Sequence, residues 1–256
     1  MPDRKGPSKI LILGGTTEAS ELAAILSPRI DLTVISSLAG RVSQPTLPMG
    51  TVRIGGFGGV DGLSAYLAQE NIAAVIDATH PYASKISRNA ELACASLNLP
   101  LIAYKRPQWN PEEGDCWIPV PDVEAAASLV NERGSRVFLS IGRQELGAFS
   151  GCNEAWFLVR SIDAPEERLP AHSKLLLERG PFHFEAEMQM LRREGINRIV
   201  SKNSGGAATY SKIVAARTLG IPVVMLERPR KHTVPTAARR EDVLLSIGEL
   251  FQINFN

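Results

Sequence analysis

The chain has 256 residues, 28 Lys plus Arg against 27 Asp plus Glu, and a formal net charge of +1. Apolar residues make up 44%, which supplies real cores and excludes an intrinsically disordered chain. The balanced charge excludes a whole-protein electrostatic footprint for nucleic acid or an anionic membrane, and the length fits one large domain or two small ones.

The first residues, Met1 to Ser8, are polar, and the apolar run Ile10–Leu13 stops at Gly14-Gly15. No signal peptide is expected there, and no run approaches the roughly 18 apolar residues of a membrane helix. Cys94, Cys116 and Cys152 lie far apart, with no C-x-x-C or Cys/His cluster. That spacing predicts neither a disulfide framework nor a metal site, and it suits a reducing cytoplasm.

Short β-branched runs alternate with helical patterns along the chain. Lys9–Leu13 is the first predicted strand, followed by a helix from about Glu18. Leu32–Ile35 and Thr51–Ile54 are the next strands, the latter stopped by Gly55-Gly56-Phe57-Gly58-Gly59. A helix over Asp61–Gln69 leads to a strand at Ala74–Asp77, a helix reaching Ser96 and a strand over Leu99–Tyr104. Lys105–Pro121 carries Pro107, Pro111, Pro119 and Pro121 and reads as a crossover or linker. Further strands are predicted at Arg136–Ser140, Ala155–Arg160, Leu175–Glu178, Ile199–Ser201 and Pro222–Leu226. Helices are predicted at Val123–Asn131, Phe182–Arg193, Ala207–Leu219 and, capped by Thr236, Ala237–Phe251. Near-continuous apolar strands alternating with helices indicate α/β architecture with mostly parallel sheets covered on both faces. The proline-rich stretch divides this pattern into two expected αβα units, residues 1–108 and 109–256.

Two blocks repeat. The pattern from Leu67 to Asp77 returns from Leu191 to Ser201, offset by 124, and Leu97–Pro107 returns at Leu219–Pro229, offset by 122. Duplication and convergence on one αβ pattern both account for this. Under either, Ala78-Thr79-His80-Pro81-Tyr82-Ala83 and Lys202-Asn203-Ser204-Gly205-Gly206-Ala207 follow corresponding strands. Ligands of open parallel sheets sit beyond the carboxyl ends of strands, so both segments are candidate site loops.

Gly14-Gly15-Thr16-Thr17 lies between a strand and a helix, the layout of a phosphate-binding turn. Glycine lets backbone N–H groups approach phosphate oxygens, and the threonines add hydroxyls. The motif is neither G-x-G-x-x-G nor a P-loop. An NAD site places a carboxylate at the end of the second strand to hold the ribose 2′-hydroxyl. Here the chain reads Ser36-Ser37-Leu38-Ala39-Gly40-Arg41. Ser37 and Arg41 suit a 2′-phosphate, which favours NADPH over NADH. Gly55, Gly56 and Phe57 form a turn that a ring or pyrophosphate could approach closely.

Taken in order, several strings resemble one family. They are Gly14–Ala19, Ser37–Arg41, Asp77–Ala83, Gly180-Pro181-Phe182, Lys202–Gly206 and Gly220–Pro229. The chain resembles the precorrin-6A reductase family of cobalamin (vitamin B12) biosynthesis from about Lys9 to Pro229. The resemblance implies NADPH-dependent reduction of one C=C bond of a tetrapyrrole-derived macrocycle, precorrin-6A to precorrin-6B, with the substrate between two Rossmann-like domains. It leaves open the cobalt-precorrin-6A reductase of the cobalt-early pathway. Another two-domain nucleotide-binding enzyme, or a small-molecule sensor, would share the glycine loops without explaining the ordered set.

The chemistry needs a hydride donor, a proton source and cations for the carboxylate arms. Gly14, Gly15, Thr16 and Thr17 are expected at the pyrophosphate, and Ala78, Thr79 and His80 near the ribose and nicotinamide. His80, Tyr82 and Lys202 are the candidate acids, with water as an alternative. Tyr82, Arg143, Arg160, Arg179, Lys202, Asn203, Ser204 and Gly205 are the expected substrate-binding residues. A monomer or weak homo-oligomer, without nucleic acid or membrane partners, is expected.

Overall fold

The computed structural model describes residues 6–40, 42–229, 234 and 236–255. In chain order the first elements are β1 (Ser8–Leu13), α1 (Thr17–Leu26), β2 (Leu32–Leu38), β3 (Thr51–Ile54), α2 (Val60–Gln69), β4 (Ile72–Asp77), α3 (Ser84–Ser96) and β5 (Leu101–Tyr104). Then come β6 (Trp117–Val120), α4 (Val123–Val130), β7 (Arg136–Ser140), a 3-10 helix (Arg143–Phe149), β8 (Trp156–Ser161) and β9 (Ser173–Leu177). They are followed by α5 (Phe184–Arg193), β10 (Arg198–Lys202), a 3-10 turn (Ala207–Thr209), α6 (Ser211–Leu219), β11 (Val223–Leu226), β12 (Thr236–Ala237) and α7 (Arg240–Phe251).

The strands build two six-stranded sheets, β12-β5-β4-β1-β2-β3 and β6-β11-β10-β7-β8-β9. All their pairings are parallel, as the expected Rossmann-like α/β class requires. Strand order reverses between β1 and β4 in one sheet and between β7 and β10 in the other. Those switch points are where doubly wound sheets hold ligands.

The two orders superimpose element for element, with β7 in the place of β1, β10 of β4, β11 of β5 and β6 of β12. The repeat reaches the backbone angles. Asn71 and Asn98, just past the ends of α2 and α3, have φ of 53° and 51°. Their counterparts past α5 and α6 are Gly195 and Gly220, at 60° and 64°. Both pairs close a helix in the left-handed conformation, which Gly and Asn tolerate best.

The chain divides into one unit of residues up to Pro107 together with Pro229 onward, and a second of Gln108–Arg228. This corrects the expected boundary: the C-terminal stretch returns to the first unit. There Thr236 and Ala237 pair with Ala103 and Tyr104 as β12, so Thr236 is not a helix cap. Helix α7 starts instead at Arg240, and Asp242 accepts from the Arg239 backbone N–H at 3.3 Å. The expected linker also contains β6, whose Pro119 sits opposite Met225. An edge strand tolerates the missing N–H of proline.

Strand alternation divides the cores. In the first unit Ile10 and Ile12 pack with Leu22, Ala23 and Leu26 of α1 and Val243 and Ile247 of α7. Leu11 and Leu13 pack on the opposite face with Leu63 and Leu67 of α2 and Ala90 and Ala93 of α3. In the second unit Phe138, Leu158, Ile199 and Val223 pack with Leu191 of α5 and Ile213 and Ala216 of α6. Leu22 is fully buried; truncating such a leucine to alanine costs about 2–5 kcal/mol.

Candidate functional site

In the first unit the glycine turn sits at the switch point. Gly15 has φ +100° and open space where a Cβ would stand. A Cβ on Gly14 would lie 3.3 Å from Ala19 Cβ, so glycine there permits the close approach of strand and helix. Thr16 caps α1, accepting from Ala19 N at 3.2 Å, and donates its hydroxyl proton to Ala78 O at 2.7 Å. It therefore ties the β1 turn to the β4 turn, and its hydroxyl is engaged within the protein. Helix N-termini leave backbone N–H groups without intrahelical partners, so anion capture by this turn rests on those groups and on Thr17.

The β4 turn is built around Asp77, which is 2% exposed. Its Oδ1 accepts from the Thr79 backbone N–H at 3.0 Å and from Thr79 Oγ1 at 2.6 Å. His80 Nδ1 accepts from Tyr82 N at 3.3 Å, which places the proton of a neutral ring on Nε2. The His80 and Tyr82 rings lie 5.7 Å apart.

Thr16, Glu18, Asp77, Ala78, Thr79, Pro81, Tyr104, Lys105 and Arg106 line a recess at this point. Glu18 and Arg106 pair there at 2.6 Å. Burial pushes the Glu18 carboxyl up, but the hydrogen bond and charge of Arg106 outweigh it and hold the group below its ordinary value. Arg106 thus neutralises a carboxylate in the first turn of α1 that would oppose a phosphate. Sequence reasoning had not placed it in the site; its signal was the repeated Arg106-Pro107 and Arg228-Pro229.

At the end of β2, Ser36 and Ser37 are buried. Arg41 lies outside the described residues. Beside Ser37 stands Arg53 of β3, which donates to Ser37 Oγ at 2.8 Å, Gly55 O at 2.9 Å and Gly56 O at 3.1 Å. Its guanidinium lies over the Phe57 ring, 3.8 Å from the centroid. The expected Gly55, Gly56 and Phe57 turn is therefore held by an arginine that the sequence reading treated only as strand.

In the second unit Gly142, with φ +85°, occupies the position of Gly15, and Arg143 that of Thr16. Arg143 is half-buried and Arg179 exposed, and Arg179 precedes the cis Gly180–Pro181 bond. Lys202, just past the β10 core, is paired with Glu145 at 2.5 Å. Asn203 is buried, with its amide bonded to the Trp109 backbone at 2.8 and 3.0 Å. Ser204, also buried, lies 3.5 Å from Thr209 Oγ1. Gly205 takes φ +73°.

Arg160, expected at the substrate, is engaged within the second unit. Arg160 is 6% exposed and makes two hydrogen bonds to Glu187, at 2.5 and 3.1 Å. Its guanidinium also stacks over Phe182 at 3.6 Å and Phe138 at 4.7 Å. A second carboxylate, of the more exposed Glu178, lies 3.8 Å from the same guanidinium. Beside it lies Lys212, 2% exposed, whose ammonium donates to Thr209 O at 3.0 Å. A separate cavity of about 580 Å³ is lined by residues including Trp109, Trp117, Asn203, Met225 and Arg228.

No helix among the described residues is long and apolar enough to cross a membrane, and no group of three or more potential metal ligands occurs among them. Comparison with known proteins gives the same reading as the ordered motifs. A precorrin-6A reductase from Rhodococcus erythropolis is 49% identical over 222 residues, 87% of this chain and 90% of that protein. A cobalt-precorrin-6A reductase from Priestia megaterium is 27% identical over 235 residues, 86% of this chain and 91% of that protein. The solved structure of CobK precorrin-6A reductase superimposes with a TM-score of 0.88 at 40% identity, covering 95% of this chain and 97% of that one. The family model for precorrin-6x reductase CbiJ/CobK matches residues 9–247, and the chain belongs to that family.

Proposed function

We propose that this chain reduces one C=C bond of precorrin-6A to give precorrin-6B, with NADPH as the hydride donor. The observation that carries the reading is the joined pair of turns at the first switch point. There Thr16 links the glycine turn after β1 to the Ala78-Thr79-His80 turn after β4. The residues fit a dinucleotide: Gly15 leaves open space beside a helix N-terminus, and a serine pair stands where an NAD site carries an acid. Gly14, Gly15, Thr16 and Thr17 would hold the pyrophosphate. Ser37 and Arg41 would hold the 2′-phosphate, and Gly55, Gly56 and Phe57 would flank the adenosine. Ala78, Thr79 and His80 would line the nicotinamide side.

When bound, the reduced nicotinamide supplies the hydride. The protein orients the ring and delivers a proton to the neighbouring carbon, so the product gains two hydrogens. His80 would give that proton from Nε2 as its imidazolium, a form that requires Nδ1 to release the Tyr82 N–H it accepts in the neutral ring; Tyr82 and Lys202 are the alternative acids. A polycarboxylate needs cations and N–H donors, and Arg143, Arg179, Lys202, Ser204 and Gly205 supply them in the second unit. Asn203 would serve this site by shaping its loop, and Arg160 through the packing under Phe182. The metal-free substrate is preferred to its cobalt form, since the relatives named for it are the more similar. The reaction is placed in the cytoplasm, with the enzyme a monomer or weak homo-oligomer. Adding precorrin-6A to protein and NADPH should oxidise one NADPH per macrocycle consumed; a folded protein that leaves NADPH untouched contradicts the reading.

A further inference from the structure

Among the described residues, the cation at the ends of β2 and β3 has no carboxylate beside it. Arg53 is half-buried, and among the described residues none of its partners is acidic. Its bonds run to one hydroxyl and two backbone carbonyls, and its faces are turned to Phe57 and Tyr66, at 3.8 and 5.1 Å. Burial disfavours its charged form and lowers its pKa, with only the Tyr66 hydroxyl opposing. A partly buried charge is costly unless an opposite charge accompanies it, yet here the fold fixes the guanidinium firmly in place.

The location is specific. Ser37 and Arg53 are direct partners in the β2–β3 register, at the strand end where a doubly wound sheet reads the adenosine ribose. Three of the five guanidinium N–H groups go to Ser37, Gly55 and Gly56. The remaining two, with the Ser37 hydroxyl proton, make a donor set suited to a tetrahedral dianion. Stacking on Phe57 keeps the planar group from turning away.

We infer that Arg53, together with Ser37, selects the 2′-phosphate of NADPH. This rests on the proposed cofactor reading and adds to it a specificity residue that does not depend on Arg41. The competing role for Arg53 is to pin the Gly55–Gly59 turn and nothing more. That role would affect both nicotinamide cofactors alike, because they share every group except the 2′-phosphate.

The test is the affinity of the full chain for NADPH and NADH, measured by calorimetry, with 2′,5′-ADP and 5′-AMP as fragment probes. The unaltered protein is expected to hold NADPH about tenfold or more tighter than NADH, a difference of about 1.4 kcal/mol or more. Arg53→Gln should collapse that ratio to within about threefold, because the loss for NADPH exceeds whatever loss NADH suffers from a loosened Gly55–Phe57 turn. It should weaken 2′,5′-ADP by a clearly larger factor than 5′-AMP. Ser37→Ala removes one hydroxyl, and the ratio should fall by a few-fold; this variant decides if Arg53→Gln does not fold. An unchanged ratio in folded Arg53→Gln overturns the inference, as does equal loss of both cofactors, and so does an unchanged ratio in Ser37→Ala when only that variant folds. An unaltered protein without NADPH preference overturns the NADPH reading itself, and this inference with it.

Discussion

Asn203 and Trp109, 94 residues apart in sequence, are joined by a two-point clamp. The Asn203 carbonyl accepts from the Trp109 N–H at 2.8 Å, and its amide donates to the Trp109 carbonyl at 3.0 Å. The side chain thus acts as a strand partner for the segment leading into β6. Truncation to alanine leaves a buried N–H and C=O of Trp109 without partners, at about 1–3 kcal/mol each. Asn203→Ala should lower the urea midpoint by an amount corresponding to about 2–6 kcal/mol, read by equilibrium unfolding. A shift below about 0.5 kcal/mol, the range of an ordinary surface substitution, would show that the clamp carries no load.

Arg160 and Glu187 form a buried pair, with side chains 4% and 3% exposed. Removing one partner strands the other charge, so Glu187→Ala should destabilise by about 3–5 kcal/mol. Replacing both, as Arg160→Met with Glu187→Leu, should cost less than the Glu187 change alone. Denaturant melts of the three variants check this; a double variant as unstable as the two single losses combined would contradict the pairing.

Lys212 gives a pH dependence. Burial first, then the nearby charge of Arg160, pulls its ammonium down to about 7, with Glu187 partly opposing. In the unfolded chain a lysine titrates near 10.4. Between those values the unfolded state binds more protons, so the Lys212 contribution to stability rises with pH across that window. Lys212→Met should remove that rise and raise stability at neutral pH. Unfolding free energies compared at about pH 7 and about pH 9.5 test the sign; equal slopes in the two proteins would contradict it. The comparison stays below pH 10 because Tyr66, Tyr104 and Tyr210 all titrate above their ordinary value.

The three cysteines should separate by reactivity. Cys116 is exposed, whereas Cys94 and Cys152 are buried. Burial, helped by the charge of Asp77, pushes the Cys94 thiol up to about 12, and burial raises that of Cys152. The thiolate is the reactive species. A disulfide reagent at mildly alkaline pH should therefore modify one thiol quickly in the native protein and all three after denaturation. Rapid native modification of Cys94 would contradict the packing of α3.

Strands such as Ser8–Leu13 were legible because four consecutive apolar residues end at a glycine pair, and the switch-point turns followed from them. The edge strands were not. Thr236–Ala237 has two residues, too few to show any period, and Pro119 made Trp117–Val120 resemble a linker. Charged residues were the harder problem. Arg160 and Arg53 both lie near strand ends, and sequence cannot say which one meets a buried glutamate and which one meets only hydroxyl and carbonyl oxygens. Helix α5 begins at Phe184, so its buried face is Glu187, Met188, Met190 and Leu191, and a glutamate on that face reads as solvent-facing until Arg160 is found beneath it.

The central claim is tested most directly by following the two hydrogens added to precorrin-6A. With NADPH deuterated at the transferring position, in ordinary water, the purified chain should yield a product carrying one deuterium from the cofactor and one hydrogen from solvent, read by mass spectrometry. A folded protein that returns precorrin-6A unchanged, or a reduced product without cofactor deuterium under those conditions, would contradict the account.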